Sequence, residues 1–129
     1  MAEESPQHVD RFILEYIDSV PHLESLLLLW NDRPATWTSA ALAGRLYVSP
    51  EVARRILQDL VQHDLIATVP GTSNEYCYES KSEERDRLLA AVDVTYRREL
   101  VRVSTLIHSK ASSAVREFAK AFRFKKEQE

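Results

Sequence analysis

Apolar side chains along this chain recur mostly every three or four residues, the spacing that lines one face of a helix. Ser5-Pro6 opens the first such stretch. Serine caps orphan amides, and proline is tolerated at a first helical position. Val9, Phe12, Ile13, Tyr16 and Ile17 then fall on one face. Asp18-Ser19 and Pro21 restart the chain. Leu23 and the run Leu26 to Trp30 make the second helix apolar nearly all round, which predicts a central position. Asn31-Asp32-Arg33-Pro34 ends it, and Ala35-Thr36-Trp37 suits one short strand.

Thr38 or Ser39 caps a third helix with Ala41, Leu42 and Leu46 inward. Leu46-Tyr47-Val48 is the turn. Ser49-Pro50-Glu51 then opens a fourth helix, with an acidic residue at the positive end of the dipole. Its buried stripe is Val52, Ala53, Ile56, Leu57, Leu60 and Val61. Arg54, Arg55, Gln58, Asp59 and Gln62 are left outside. Leu65 to Val69 and Glu75 to Glu79 predict two strands around Pro70-Gly71-Thr72-Ser73-Asn74, a segment dense in turn formers.

Ser80 or Ser82 caps a fifth helix, on which Leu89, Val92, Tyr96, Leu100, Val103 and Ile107 recur. From Glu83 to His108 it would run about 39 Å at ~1.5 Å per residue. That exceeds the thickness of a small winged domain, so part of it needs another partner. His108-Ser109-Lys110 breaks it. Ala114, Val115, Phe118, Ala119 and Phe122 form a last amphipathic turn or two, and 124–129 fray. The expected fold is mainly α: a helix-turn-helix with a small β-hairpin wing and long terminal helices. Residues 1–80 would form the winged domain with an extra N-terminal helix, and 81–129 a dimerising or docking part.

Composition narrows the function. Gly44 and Gly71 are the only glycines among 129 residues, which excludes glycine-rich phosphate loops and most all-β folds. Cys77 stands alone, so no internal disulfide can form, nor a metal site built from several thiolates. The acidic start Met1-Ala2-Glu3-Glu4 is unlike a signal peptide, and no apolar run is long enough to span a bilayer. A reducing cytoplasm is the expected location. Residues 1–96 carry 8 Lys/Arg against 16 Asp/Glu, while 97–129 carry 9 against 4. Such a split predicts that one end meets an anionic surface or that the ends meet each other.

The order of elements resembles the winged helix-turn-helix transcription regulators, the MarR type above all. Leu42-Ala43, Val48-Ser49, Val52, Ile56-Leu57, Leu60 and Leu65-Ile66 carry the resemblance. It implies a homodimer formed through the terminal helices, with the fourth helix in the major groove of double-stranded DNA. Three positions depart from the pattern. Asp64 stands where glycine is usual, and Tyr47 where a small residue is usual. A bulky residue at positive φ is strained, so Tyr47 points to a different turn. The wing from Val69 to Tyr78 has no Lys or Arg, although affinity for DNA comes largely from neutralised phosphates.

The candidate DNA contacts are Thr38, Ser49, Arg54, Arg55, Gln58, Thr72, Ser73 and Asn74. Arginine can donate two hydrogen bonds to guanine, and Gln58 could read adenine. The competing account of the arginines is a solvated face with Arg55-Asp59 as an i,i+4 pair. The candidate dimer seam is Phe12, Tyr16, Val92, Tyr96, Leu100, Val103, Ile107, Phe118 and Phe122, against packing within one chain. The basic residues of 110–126 could meet an acidic protein. A second function follows from the cation-free wing: a protein-interaction module without DNA binding, docking through the C-terminal segment. The four histidines are scattered without a metal-ligand spacing. Cys77 suits a small buried hydrophobe, and Trp30 and Trp37 suit the core. No cofactor, metal or catalytic constellation is expected, hence no enzyme.

Overall fold

Each of the first five helices begins on a hydroxyl that accepts the backbone N–H three residues on. Ser5, Ser19, Thr38, Ser49 and Ser82 receive His8, His22, Ala41, Val52 and Arg85, at 3.0–3.3 Å. Each such cap contributes roughly 1 kcal/mol. The computed structural model describes residues 5–110. In order they form α1 (Pro6–Tyr16), α2 (Val20–Asp32), β1 (Trp37–Thr38), α3 (Ser39–Leu46), α4 (Pro50–Gln62), β2 (Ala67–Thr68), β3 (Glu75–Cys77) and α5 (Glu83–Arg98). Residues 100–110 are helical again and are termed α6. The fold is mainly helical with a small wing, as the sequence predicts. Phe118 and Phe122, the expected last helix and most of the 110–126 segment lie outside the described residues.

The strands pair antiparallel in the order β1-β3-β2, with Trp37 opposite Tyr76 and Ala67 opposite Cys77. Val69 N–H donates to Glu75 O at 2.9 Å and closes the hairpin. One continuous apolar core runs through all the helices, from Val9 to Ile107. Within it α2 contributes Leu23, Leu26, Leu27, Leu29 and Trp30, the central role its sequence implies. Burial of each such large side chain stabilises the fold by about 1.5–3 kcal/mol. Tyr78 meets Trp30 edge-on at 5.1 Å, and the Arg33 guanidinium lies over the Trp30 ring, 3.5 Å from its centroid. Trp37 is only half-buried, its indole N–H donating to Asp32 at 3.0 Å.

Tyr78 also fastens the wing to α5. Its hydroxyl donates to Asp86 Oδ1 and the Ser80 hydroxyl to Oδ2, both at 2.6 Å. These two donors, Ser80 foremost, hold the Asp86 carboxyl below its usual range. Burial first, then the bond to Asp86, pushes the Tyr78 hydroxyl well up. Ser80 is therefore an anchor for Asp86, and Ser82 is the cap of α5.

The fifth helix is not continuous to His108. It stops at Arg98; Glu99 leaves helical geometry at φ −130°, ψ 49°, and the chain turns back as α6. The break is energetically sound. It brings Val103 and Ile107 to 0 % and 1 % exposure inside the chain. A straight helix would have carried both off the body, forfeiting about 1.5–3 kcal/mol of burial for each. Polar bonds secure the return. Arg102 bridges Glu99 (2.8 Å) and Asp10 of α1 (2.9 Å), and the Lys110 ammonium donates to Ile17 O at 3.1 Å. The 39 Å span that called for an outside partner is therefore absent, and no helix break occurs at 108–110.

Candidate nucleic-acid interface

The helix-turn-helix is α3, the turn at Tyr47-Val48 and α4. Both helices end alike. Val48 N–H reaches back to Ala43 O at 3.1 Å, and Leu65 N–H to Leu60 O at 2.9 Å. Each closure places one residue in the left-handed region: Tyr47 at φ 58° and Asp64 at φ 60°. A short polar side chain such as Asp tolerates that region. Tyr47 does not, and it is 95 % exposed, so no packing of its own chain compensates the strain. The turn is thus the expected left-handed one, carrying an unfavourable residue, and not the different turn its bulk suggests. Tyr47→Gly should raise stability by about 1 kcal/mol, measured by urea unfolding. Equal stability or loss would show that the ring makes a stabilising contact.

On α4, Ala53, Ile56, Leu57 and Leu60 face the core, while Arg54, Arg55 and Gln58 point outward. Val52 is a correction: it is 42 % exposed and belongs to the outer face. Ala41 is likewise exposed, and Ala43 takes the inward position on α3. The Arg55-Asp59 pair does not form. Asp59 turns instead to His22 of α2, Oδ2 to Nε2 at 2.8 Å. Among the described residues neither Arg54 nor Arg55 has an ion-pair partner. Glu51 in the first turn is the acidic residue left on this outer face.

The remaining candidates divide. Thr38 and Ser49 use a lone pair to cap α3 and α4, which leaves each hydroxyl hydrogen for an outside acceptor. Thr72 donates its hydroxyl inward to Val69 O at 2.8 Å. Asn74 Oδ1 accepts from the Ser39 hydroxyl at 2.9 Å, which ties the wing to α3. Ser73 is exposed at the tip, beside Gly71 at φ 82°. Cys77 is half-buried, and burial first, then Glu79, pushes its thiol up, away from the reactive thiolate.

Four of the nine residues of the expected dimer seam are spent within the chain. Phe12, Val92, Val103 and Ile107 are 0–3 % exposed within one chain, so they have no surface to give a second copy. For Val103 and Ile107 the helix break is the reason. Tyr96 is half-buried, its hydroxyl donating to Glu24 at 2.8 Å; burial and that carboxylate push it up to about 12. Tyr16 is half-buried against Phe12 and His63. Leu100 remains exposed, as do three residues not singled out from sequence: Leu14, Val94 and Val101. An open cleft of ≈ 260 Å³ lies between α2, α3 and α5, walled by Leu27, Leu28, Arg45, Leu46, Tyr96 and Arg97 among others.

Solved structures superpose on this arrangement over most of its length. MepR, a transcription regulator of the Staphylococcus aureus multidrug efflux pump MepA, matches with a TM-score of 0.51 at 16 % identity, covering 91 % of this chain and 87 % of its own. The multiple antibiotic-resistance repressor MarR from Listeria monocytogenes gives 0.50 at 14 % identity, covering 92 % and 81 %. The fold is that of the MarR-type winged-helix regulators. The heme sensor PefR from Streptococcus agalactiae shares it, at 0.50 and 16 % identity over 89 % and 84 %. No family model matches the sequence, and no curated protein matches it. The MarR-type likeness thus lives in the path of the backbone. No described helix is long and apolar enough to cross a membrane.

Proposed function

We propose that the chain is a DNA-binding transcription regulator that acts as a homodimer, with α4 in the major groove. The observation that carries this reading is the outer face of α4. Arg54, Arg55 and Gln58 project there, and the carboxylate expected to neutralise Arg55 is drawn away onto His22. Unpaired guanidinium groups on an exposed helix suit bidentate recognition of guanine or capture of phosphate. The hydroxyls of Thr38, Ser49 and Ser73 and the Asn74 amide nitrogen would contact backbone, with Thr72 shaping the tip. A second copy would cover Leu14, Val94, Leu100 and Val101, with Tyr16 and Tyr96 at the margin and residues 111–129 contributing. Two related half-sites would follow from the twofold axis.

Selection of binders from random double-stranded DNA by the full-length chain tests the reading. A recovered motif with two related halves is expected, and no enrichment at low salt would overturn it. One observation favours a second reading, a protein-interaction module: residues 69–78 of the wing hold Glu75 and no cation. That reading expects no DNA retardation at low salt, and a protein partner whose capture is lost on deleting residues 110–129.

A further inference from the structure

Three side chains from separate parts of the chain converge beside α4, off its outer face. Asp18 lies in the link between α1 and α2, His22 in the first turn of α2, and Asp59 on α4. One donor atom from each lies within 4.8 Å of the others. His22 Nε2 is already 2.8 Å from Asp59 Oδ2, and the histidine side chain is 13 % exposed. Its other ring nitrogen, Nδ1, sits 2.6 Å from the Ser19 hydroxyl, which also accepts the His22 backbone N–H. The ring is thus held at both nitrogens, and its position is set by the cap of α2.

We propose that Asp18, His22 and Asp59 form a binding site for a divalent transition-metal ion of the zinc, cobalt or nickel class. Donors bonded to one such ion at about 2.1 Å stand roughly 3 Å apart, which the His22–Asp59 pair already meets. Asp18 closes the set by a side-chain rotation. One imidazole nitrogen with two carboxylates favours a borderline ion over calcium or magnesium, which want an all-oxygen shell. With the ion on Nε2, Nδ1 carries the proton and donates to Ser19, an outer bond that orients a ligating histidine. Lys110 stands 3.7 Å from Asp18 Oδ1 and balances its charge without an ion, so it competes with one. A bound ion would cross-link the start of α2 to α4 whether or not α4 binds DNA.

The test uses the full-length chain, stripped by a chelator and titrated with cobalt(II) by visible absorption, then with zinc(II) in competition. One cobalt per chain, displaced by zinc, is expected. His22→Ala or Asp59→Asn should weaken binding at least tenfold, and Ser19→Ala about tenfold. Lys110→Met should tighten it about fivefold by removing a like charge near the ion. A simple His22–Asp59 ion pair predicts none of these binding effects. Absence of saturable binding below millimolar cobalt, or binding unchanged in both His22→Ala and Asp59→Asn, overturns the site. If His22→Ala fails to fold by circular dichroism, Asp59→Asn and Lys110→Met decide it.

Discussion

Arg54→Glu combined with Arg55→Glu should weaken binding to a selected DNA site by more than about a hundredfold. Each arginine contact of this kind is worth roughly 1–3 kcal/mol, and about 1.4 kcal/mol is tenfold in affinity. A dimer loses both contacts twice and gains four carboxylates against phosphate. The salt dependence should flatten as well, since fewer counterions are released. Mobility shift at two salt concentrations reads both effects. Stability should hardly change, because both side chains are exposed and unpaired among the described residues. Undiminished affinity would remove α4 as the reading element, whatever the rest of the protein binds.

Leu57→Ala should cost about 2–5 kcal/mol, the range for emptying a large core position, whereas Val52→Ala should stay within about 0.5 kcal/mol. The contrast tests the roll of α4 about its axis, which decides which residues reach outward. Leu57 is fully buried and Val52 is 42 % exposed, although both belong to the apolar set on this helix. Urea unfolding of both variants gives the difference directly. A large loss for Val52→Ala would mean that α4 is rotated and that Arg54 and Arg55 do not share the free face.

Local chemistry made much of the architecture legible. Ser5, Ser19, Ser49 and Ser82 announce helix starts because a cap concerns only the next three residues. The alternation of apolar and polar residues on α4 separates Ile56 and Leu57 from Arg54, Arg55 and Gln58 for the same reason. What escaped the sequence depends on distant partners. Nothing in Arg97-Arg98-Glu99-Leu100 breaks a helix by itself, since neither proline nor glycine is present. The break follows from where Val103 and Ile107 find cover, and it moved these two residues of the expected dimer seam into the core. The Arg55-Asp59 pair looked sound at i,i+4 spacing, yet Asp59 prefers His22, 37 residues away. The same separation hides the Asp18, His22 and Asp59 cluster from any search by spacing. Tyr47 is an instructive case, because its backbone follows the turn while its side chain would argue against it.

The fold-back at Glu99 also sets the order of events during synthesis. Asp10 meets Arg102 from 92 positions away, and Ile17 meets Lys110 from 93. A growing chain therefore holds α1 without part of its cover until nearly all of the described residues have left the ribosome. Helix α1 is made long before the residues that complete its cover. Long-range closure of this kind slows folding and leaves the apolar face of α1 exposed to misassociation while the remainder emerges.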